Sequence, residues 1–355
     1  MRITVIGGGN IGTLMAADAA YKGNEVVIYT SKPEQWNKEL RVYDADDKLL
    51  RRGHISKVTN SMREAVEKAE HIWITMPPHL FSSIAEEILP FVHEGQKIGI
   101  IPGSGGGEFA FRKVIEKDVI LFGLQRVHSI ARLKKYGESV YELGRKNSIK
   151  IGSIPSHFAI NICKEMESVF DIPGEWVSNY LSVTLTPSNP ILHTTRLYSI
   201  FKDYDSKSTY PRNILFYEEW TNDSSDLLMN CDCELQNICR IIPLDLTAVV
   251  SLKDYYESHT VDEMTQKIRG IKAFKGLFSP MKQTGTGWIP DWNSRYFVSD
   301  FSFGIKVIKE IAKIFLVHTP NIDMVWNWYQ RNTMSSVTEV FELDLDRKEF
   351  INLYK

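Results

Sequence analysis

The sequence predicts an α/β N-terminal half, a doubly wound parallel sheet, followed by a mostly α-helical C-terminal domain. Three observations carry this. A short apolar run at residues 2–6 leads straight into a glycine-rich turn and a helical pattern. Short β-branched runs then alternate with helical stretches as far as Leu185, the order that builds a parallel sheet. From Pro190 onward strand signals fade and long helical patterns take over. The 355 residues therefore read as two domains, 1–185 for a dinucleotide and 186–355 for substrate and catalysis.

The elements follow in order. Arg2 to Ile6 has the composition of a buried parallel strand. Gly7-Gly8-Gly9-Asn10-Ile11-Gly12 contains G-x-G-x-x-G, and the Ala-rich stretch Thr13 to Tyr21 reads as a helix stopped by Lys22-Gly23-Asn24. Glu25 to Thr30 is a second strand. Strand, glycine turn, helix, strand is the Rossmann-like context that makes the motif informative. Gly7 permits the tight turn, Gly9 lets backbone approach a pyrophosphate, and Gly12 lets the helix pack closely on the strand. The free N–H groups at the helix start, with Asn10 and Ile11, face the phosphates. An acidic residue after the second strand would bind the ribose 2′-OH of NAD. Here Tyr29-Thr30-Ser31-Lys32-Pro33 brings a hydroxyl and a cation, which suit a 2′-phosphate. Ser31 and Lys32 point to NADP, with NAD as the alternative.

Asp44, Asp46, Asp47 and Lys48 mark a turn between two short strands, and a helix covers Ser61 to Ala69. His71 to Thr75 is a strand ended by Met76-Pro77-Pro78. A helix from Leu80 to Phe91 precedes the strand Lys97 to Ile101 and the loop Pro102 to Gly107. Ligands sit beyond such strand ends in open α/β sheets. Val119 to Leu124, Tyr141 to Ile154 and Glu175 to Leu185 carry strand character, and Ser156 to Phe170 is helical.

The net charge of −2 excludes a nucleic-acid coat, and no run of 18 apolar residues predicts a membrane span. A strand that starts at residue 2 leaves no room for a secretory signal, so the cytoplasm is the expected compartment. Four cysteines are too few for a disulfide scaffold, and Cys231, Cys233 and Cys239 lack the paired spacing of a structural zinc site. They read as free thiols, with no metal.

Two stretches of the second half carry candidate chemistry. In Thr186-Pro187-Ser188-Asn189-Pro190-Ile191-Leu192-His193, Ser188 or Asn189 can cap a helix starting at Pro190, which puts His193 in its first turn, facing the cofactor domain. The second stretch, Trp288 to Gly304, is dense in aromatics and holds Arg295 and Asp300.

Taken together, the chain resembles the octopine/nopaline (opine) dehydrogenases. The likeness rests on Gly7-x-Gly9-x-x-Gly12, Asn189-Pro190-x-x-His193, the Phe216-Tyr217-Glu218-Glu219 helix, Arg295…Asp300, the glycine loop at 103–107 and Arg126…Ala131-Arg132. The missing acid after the second strand departs from the NAD-using members. His128-Ser129 departs from the family's pattern in a loop that bears on substrate, standing where a Pro-Tyr-like pair is expected. The resemblance implies NAD(P)H-dependent reductive condensation of an amino acid with a 2-keto acid, and the reverse oxidation. It implies that His193 is the catalytic acid/base, Asp300 orients its ring and Arg295 grips the amino-acid carboxylate. Histidine titrates near neutrality, a carboxylate beside it fixes the tautomer, and arginine matches a carboxylate bidentately. The partners implied are these two small molecules, with neither nucleic acid nor membrane, and a homodimer is admitted. A ketopantoate-reductase-like or 2-hydroxy-acid dehydrogenase is the alternative, although such enzymes use a lysine or glutamate in the helical domain. A non-catalytic cofactor-binding protein on the same scaffold is a third.

Overall fold

The computed structural model describes residues 1–333 and 341–354. Two compact units emerge: Met1–Thr184, joined by the chain's last residues from Asn352, and Leu185–Ile351.

The first unit opens with β1 (Arg2–Ile6), α1 (Asn10–Tyr21) and β2 (Glu25–Tyr29), followed by β3 (Glu39–Tyr43), β4 (Leu49–His54) and β5 (Lys57–Thr59). Then come α2 (Met62–Val66), β6 (His71–Ile74), α3 (Phe81–Ile88), β7 (Lys97–Ile100), α4 (Gly107–Ala110) and α5 (Arg112–Ile115). The unit ends with β8 (Ile120–Leu124), β9 (Ser129–Lys135), β10 (Ser139–Arg145), β11 (Ile149–Ile154), α6 (Ala159–Phe170), β12 (Gly174–Trp176) and α7 (Leu181–Thr184).

The main sheet has eight strands in the order β12-β11-β8-β7-β6-β1-β2-β5. β1 pairs in parallel with β2 and β6, whereas β11 runs antiparallel to β8. Strands buried on both faces explain the unbroken apolar runs: every residue of β6 and β8 is buried. A second sheet, β4-β3-β10-β9, packs against α1. This is why α1 is rich in alanine. Residues Gly12 through Ala19 are all buried, so the helix has no broad solvent face and needs small side chains.

Several expectations shift. The strand character of Glu175 to Leu185 ends at Trp176, and Leu181–Thr184 is a helical turn. Buried Tyr180 starts that turn by accepting from Val183 N at 2.8 Å, and its hydroxyl donates to Gly103 O at 3.3 Å. The two helices expected at 61–69 and 80–91 shorten to α2 and α3. Ser61 caps α2, its side chain accepting from Glu64 N. At the β3–β4 turn the Asp44 carboxylate accepts from Asp46 N and Lys48 N, as the cluster of acids there suggests.

The second unit holds α8 (Ser188–Phe201), α9 (Asn222–Ile241), α10 (Leu252–Tyr255) and α11 (Val261–Gly270), then the hairpin β13 (Met281–Thr284) and β14 (Gly287–Pro290). α12 (Arg295–Asp300) runs into a π-helical turn, Phe301–Ile305, followed by α13 (Lys306–Ile314), α14 (Pro320–Thr333) and α15 (Arg347–Asn352). Its core is aromatic. Phe301 stacks on Tyr329 at 4.3 Å, and Phe297 packs between Phe201 and Trp292. No helix among the described residues is long and apolar enough to cross a membrane.

Candidate active site

The glycine turn occupies the gap between β1 and α1. Gly7 has φ +117°, a conformation closed to side-chain-bearing residues, and its N–H donates to Tyr29 O at 3.2 Å. At Gly12 a Cβ would lie 2.0 Å from Gly7 O, so helix and turn meet at a distance only glycine allows. Gly9 differs: nothing lies within 4 Å of where its Cβ would be. The helix beyond it has no side-chain cap and no acid in its first turn. Uncapped N–H groups, the positive end of a helix and open space at Gly9 fit a pyrophosphate. Asn10 Oδ1 accepts from Leu133 N at 2.8 Å, tying the turn to β9, and Ile11 is half-buried. Ser31 and Lys32 are exposed just past β2, and Lys32 N donates to Thr30 Oγ1 at 3.3 Å. These residues suit a nicotinamide dinucleotide, and every one of them belongs to the first unit.

The second candidate cluster lies within the second unit. His193 sits on α8, whose first residue is Ser188 rather than Pro190, with Pro187 at the cap position and no side-chain cap. His193 therefore falls in the second turn, not the first. The extra turn is free of penalty because Pro190 occupies a position whose N–H has no intrahelical acceptor, and Ile191 N reaches Pro187 O at 3.2 Å. The His193 side chain is 7% exposed. Its Nδ1 lies 2.8 Å from Asp300 Oδ2 and its Nε2 lies 2.9 Å from the Tyr217 hydroxyl. Asp300 closes α12 at the mouth of the π-helical turn, an irregularity often found where a side chain is aimed for function. Tyr296 covers the imidazole with ring centroids 4.7 Å apart.

Arg295 opens α12 and is exposed. Its guanidinium lies 5.6 Å from the centre of the Tyr296 ring and makes no hydrogen bond or ion pair among the described residues. Asp300 bonds to His193, not to Arg295. The second unit thus brings together His193, Asp300 and, through Tyr296, Arg295.

Phe216 to Glu219 is a turn, not a helix. The reason is Arg196, one helical turn beyond His193. Its buried guanidinium donates to Phe216 O at 2.8 Å and Glu219 O at 2.7 Å, removing carbonyls that a helix would use. Burial draws its pKa down to about 10. Glu219 completes the turn, clasping Arg212 and accepting from Leu215 N, and the guanidinium lowers its carboxyl to about 2. Tyr217 is the residue whose contact the sequence did not disclose. Its only signal was membership of the Phe-Tyr-Glu-Glu element.

The cysteines are free: Cys163, Cys231 and Cys239 are buried and Cys233 is exposed. One group of side chains among the described residues has metal-like spacing, Asp18, His128 and Glu142. Arg51 already supplies the cation there, 2.5 Å from Asp18 and 2.8 Å from Glu142.

Comparison with known proteins gives these sites a context. Residues 176–333 match the profile of the alpha-helical domain of NAD/NADP octopine/nopaline dehydrogenase. Tauropine dehydrogenase of Arabella iricolor is 26% identical, over 93% of this chain and 90% of its own length. The helical half thus matches the opine dehydrogenase profile, and these relatives extend the similarity over nearly the whole chain. Octopine dehydrogenase of Pecten maximus is 23% identical over 93% of the chain, and opine dehydrogenase of Arthrobacter sp. strain 1C is 25% identical over 90%. They are covered over 90% and 88% of their own lengths. The opine dehydrogenase fold is seen directly in an octopine dehydrogenase solved with NADH and L-arginine. That structure matches with TM-score 0.82 over 94% of this chain and 90% of its own, at 22% identity. Residues 2–100 match the profile of the coenzyme F420-dependent NADP oxidoreductases, in keeping with a nicotinamide-dinucleotide domain at the start of the chain.

Proposed function

We propose that the chain is an NAD(P)H-dependent opine dehydrogenase that condenses an amino acid with a 2-keto acid and reduces the product, and runs the oxidation in reverse. The observation that carries this reading is the buried His193–Asp300 pair inside the stretch that matches the family's helical domain. The bound nicotinamide supplies the hydride that reduces the carbon–nitrogen double bond. The chain supplies the rest. Gly7, Gly9 and Gly12, with the N–H groups of Asn10 and Ile11, hold the pyrophosphate. Ser31 and Lys32 take a 2′-phosphate, which favours NADP over NAD.

On the substrate side Arg295 receives the amino-acid carboxylate. Its exposed, unpaired guanidinium has both edges available for a bidentate contact. His193 works as acid and base. Asp300 accepts from Nδ1–H, so the lone pair of the neutral ring is kept at Nε2. That end accepts a proton as the amine is readied for attack and returns it when water leaves. The Nδ1–Asp300 bond strengthens as the imidazolium forms.

The test is a matrix of amino acids against 2-keto acids, read by the absorbance of NADPH and of NADH. Cofactor oxidation only when both substrates are present is the expected result. Oxidation with a keto acid alone indicates a simple ketone reductase and sinks the reading.

A further inference from the structure

Both ring nitrogens of His193 are engaged. A carboxylate can only accept, so Asp300 holds the proton on Nδ1. Nε2 of the neutral ring is then an acceptor, and the Tyr217 hydroxyl is its donor at 2.9 Å. The reactive nitrogen thus meets a phenol. A substrate must either displace that phenol or work through it.

The surroundings of Tyr217 decide between the two. Its ring stacks on Phe274 with centroids 4.1 Å apart and planes 18° from parallel, and Phe216 meets it edge-on at 4.8 Å. Its backbone is pinned from both sides, since Arg196 binds the carbonyls of Phe216 and Glu219, and Arg196 also donates to Ser224 Oγ at 3.2 Å. Swinging the ring away breaks the aromatic stack, and shifting the backbone that carries it strips a buried guanidinium of its acceptors. The phenol is built to stay.

Resting on the functional reading above, we propose that Asp300, His193 and Tyr217 form a three-member proton relay, in which the substrate exchanges its proton with the phenol oxygen of Tyr217. Arg196 is the positioning residue that fixes its outer end. The steps balance as proton transfers. The substrate ammonium gives a proton to the Tyr217 oxygen while the Tyr217 O–H proton moves onto His193 Nε2, forming an imidazolium. The freed nitrogen pair attacks the keto carbon, and a proton shifts from nitrogen to oxygen within the adduct, giving the carbinolamine. The imidazolium then returns its proton to the Tyr217 oxygen as Tyr217 O–H protonates the departing hydroxyl. The C–O bond breaks, water leaves, the nitrogen pair closes the C=N bond, and the relay is back in its starting state.

Tyr217→Phe tests this without disturbing the stack. In the whole protein, with the amino acid, 2-keto acid and nicotinamide cofactor the matrix selects, kcat is expected to fall roughly 100-fold, the scale of a lost proton-transfer group. Cofactor binding, read by fluorescence, should be unchanged. The solvent isotope effect should change from the curved proton inventory of two protons in flight to the linear one of a single proton. In the unliganded protein, ring-nitrogen NMR should show the Nδ1–H form of His193, with the Nε2 resonance shifted in Tyr217→Phe. A Tyr217→Phe enzyme with near-native kcat beside an inactive His193→Ala overturns the relay and leaves the functional reading standing. A slow Tyr217→Phe whose proton inventory and ring resonance match the wild type overturns it as well. An active His193→Ala, by contrast, removes the functional reading itself.

Discussion

Among the described residues two buried histidine–aspartate pairs stand out, one in each unit, and their surroundings differ. His193 in the second unit binds Asp300 at 2.8 Å and Tyr217 at 2.9 Å. His128 in the first unit binds Asp18 through Nε2 at 3.1 Å, and its Nδ1 has no partner among the described residues. The difference lies in what else the carboxylate serves. Asp18 is claimed by Arg51, which also holds Glu142, and the His128 ring lies flat on Phe170 at 4.2 Å. The cation is permanent, the ring is fully buried, and no polar group among the described residues meets the second nitrogen. Such a pair ties α1 to β4 and β10. Among the described residues Asp300 has no competing cation, so its charge is directed at the imidazole, whose far nitrogen meets a hydroxyl. A buried His–Asp contact is not itself a sign of catalysis. The partner of the second nitrogen and the charge already on the carboxylate decide.

That contrast can be broken most forcefully at His193. His193→Ala should lower kcat by about 10²–10⁴, the range for losing a general acid/base, while cofactor affinity is retained. Asp300→Asn should lower it less, because the imidazole survives. Turnover by His193→Ala at the native rate would place the chemistry elsewhere.

The opposite outcome is expected in the other pair. Asp18→Ala should leave kcat unchanged and destabilise the fold by about 3 kcal/mol, the lower end of the cost of a broken buried ion pair, because Glu142 still faces Arg51. Urea unfolding measures this, and a loss of kcat without a loss of stability would reverse the assignment.

A third buried acid sharpens the comparison because no cation among the described residues meets it. Glu108 accepts from Thr184 at 2.5 Å and from Tyr354 at 2.8 Å, and burial raises its pKa from 4.5 to about 7. Between those values the folded chain holds a proton that the unfolded chain has lost. Stability is therefore present at the acid end and declines as pH rises through the window, by at most about 1.4 kcal/mol per pH unit. Glu108→Gln should flatten that slope when urea midpoints are compared across the window. An unchanged slope would mean that another group titrates there.

The smallest effect is expected at Lys32, exposed and without a buried partner. Lys32→Ala should raise KM for NADPH roughly fivefold or less, the scale of an exposed ion pair worth up to about 1 kcal/mol, and leave KM for NADH alone. Equal effects on both cofactors would remove the argument for a 2′-phosphate.

What was legible from the sequence follows the range of the forces involved. The strand, glycine turn, helix and strand of residues 2–30 depend on near neighbours, on the φ of Gly7 and on the contact of Gly12 with Gly7, so their residues alone determine them. The change of pattern after Leu185 is likewise local in origin. The catalytic candidates His193, Arg295 and Asp300 stood out by residue type and family resemblance, but their meeting is long-range: His193 and Asp300 are 107 residues apart in the chain. Tertiary structure alone decided that Phe216 to Glu219 turns rather than coils, because a guanidinium from α8 captures its carbonyls. It alone decided that Tyr217 reaches His193, and that the His128–Asp18 pair is neutralised by Arg51 from a third element. Sequence patterns record which groups a chain carries and which face they share. Which buried charge finds which partner depends on desolvation in the finished core, where a polar group is stable only if the complete fold brings it a mate.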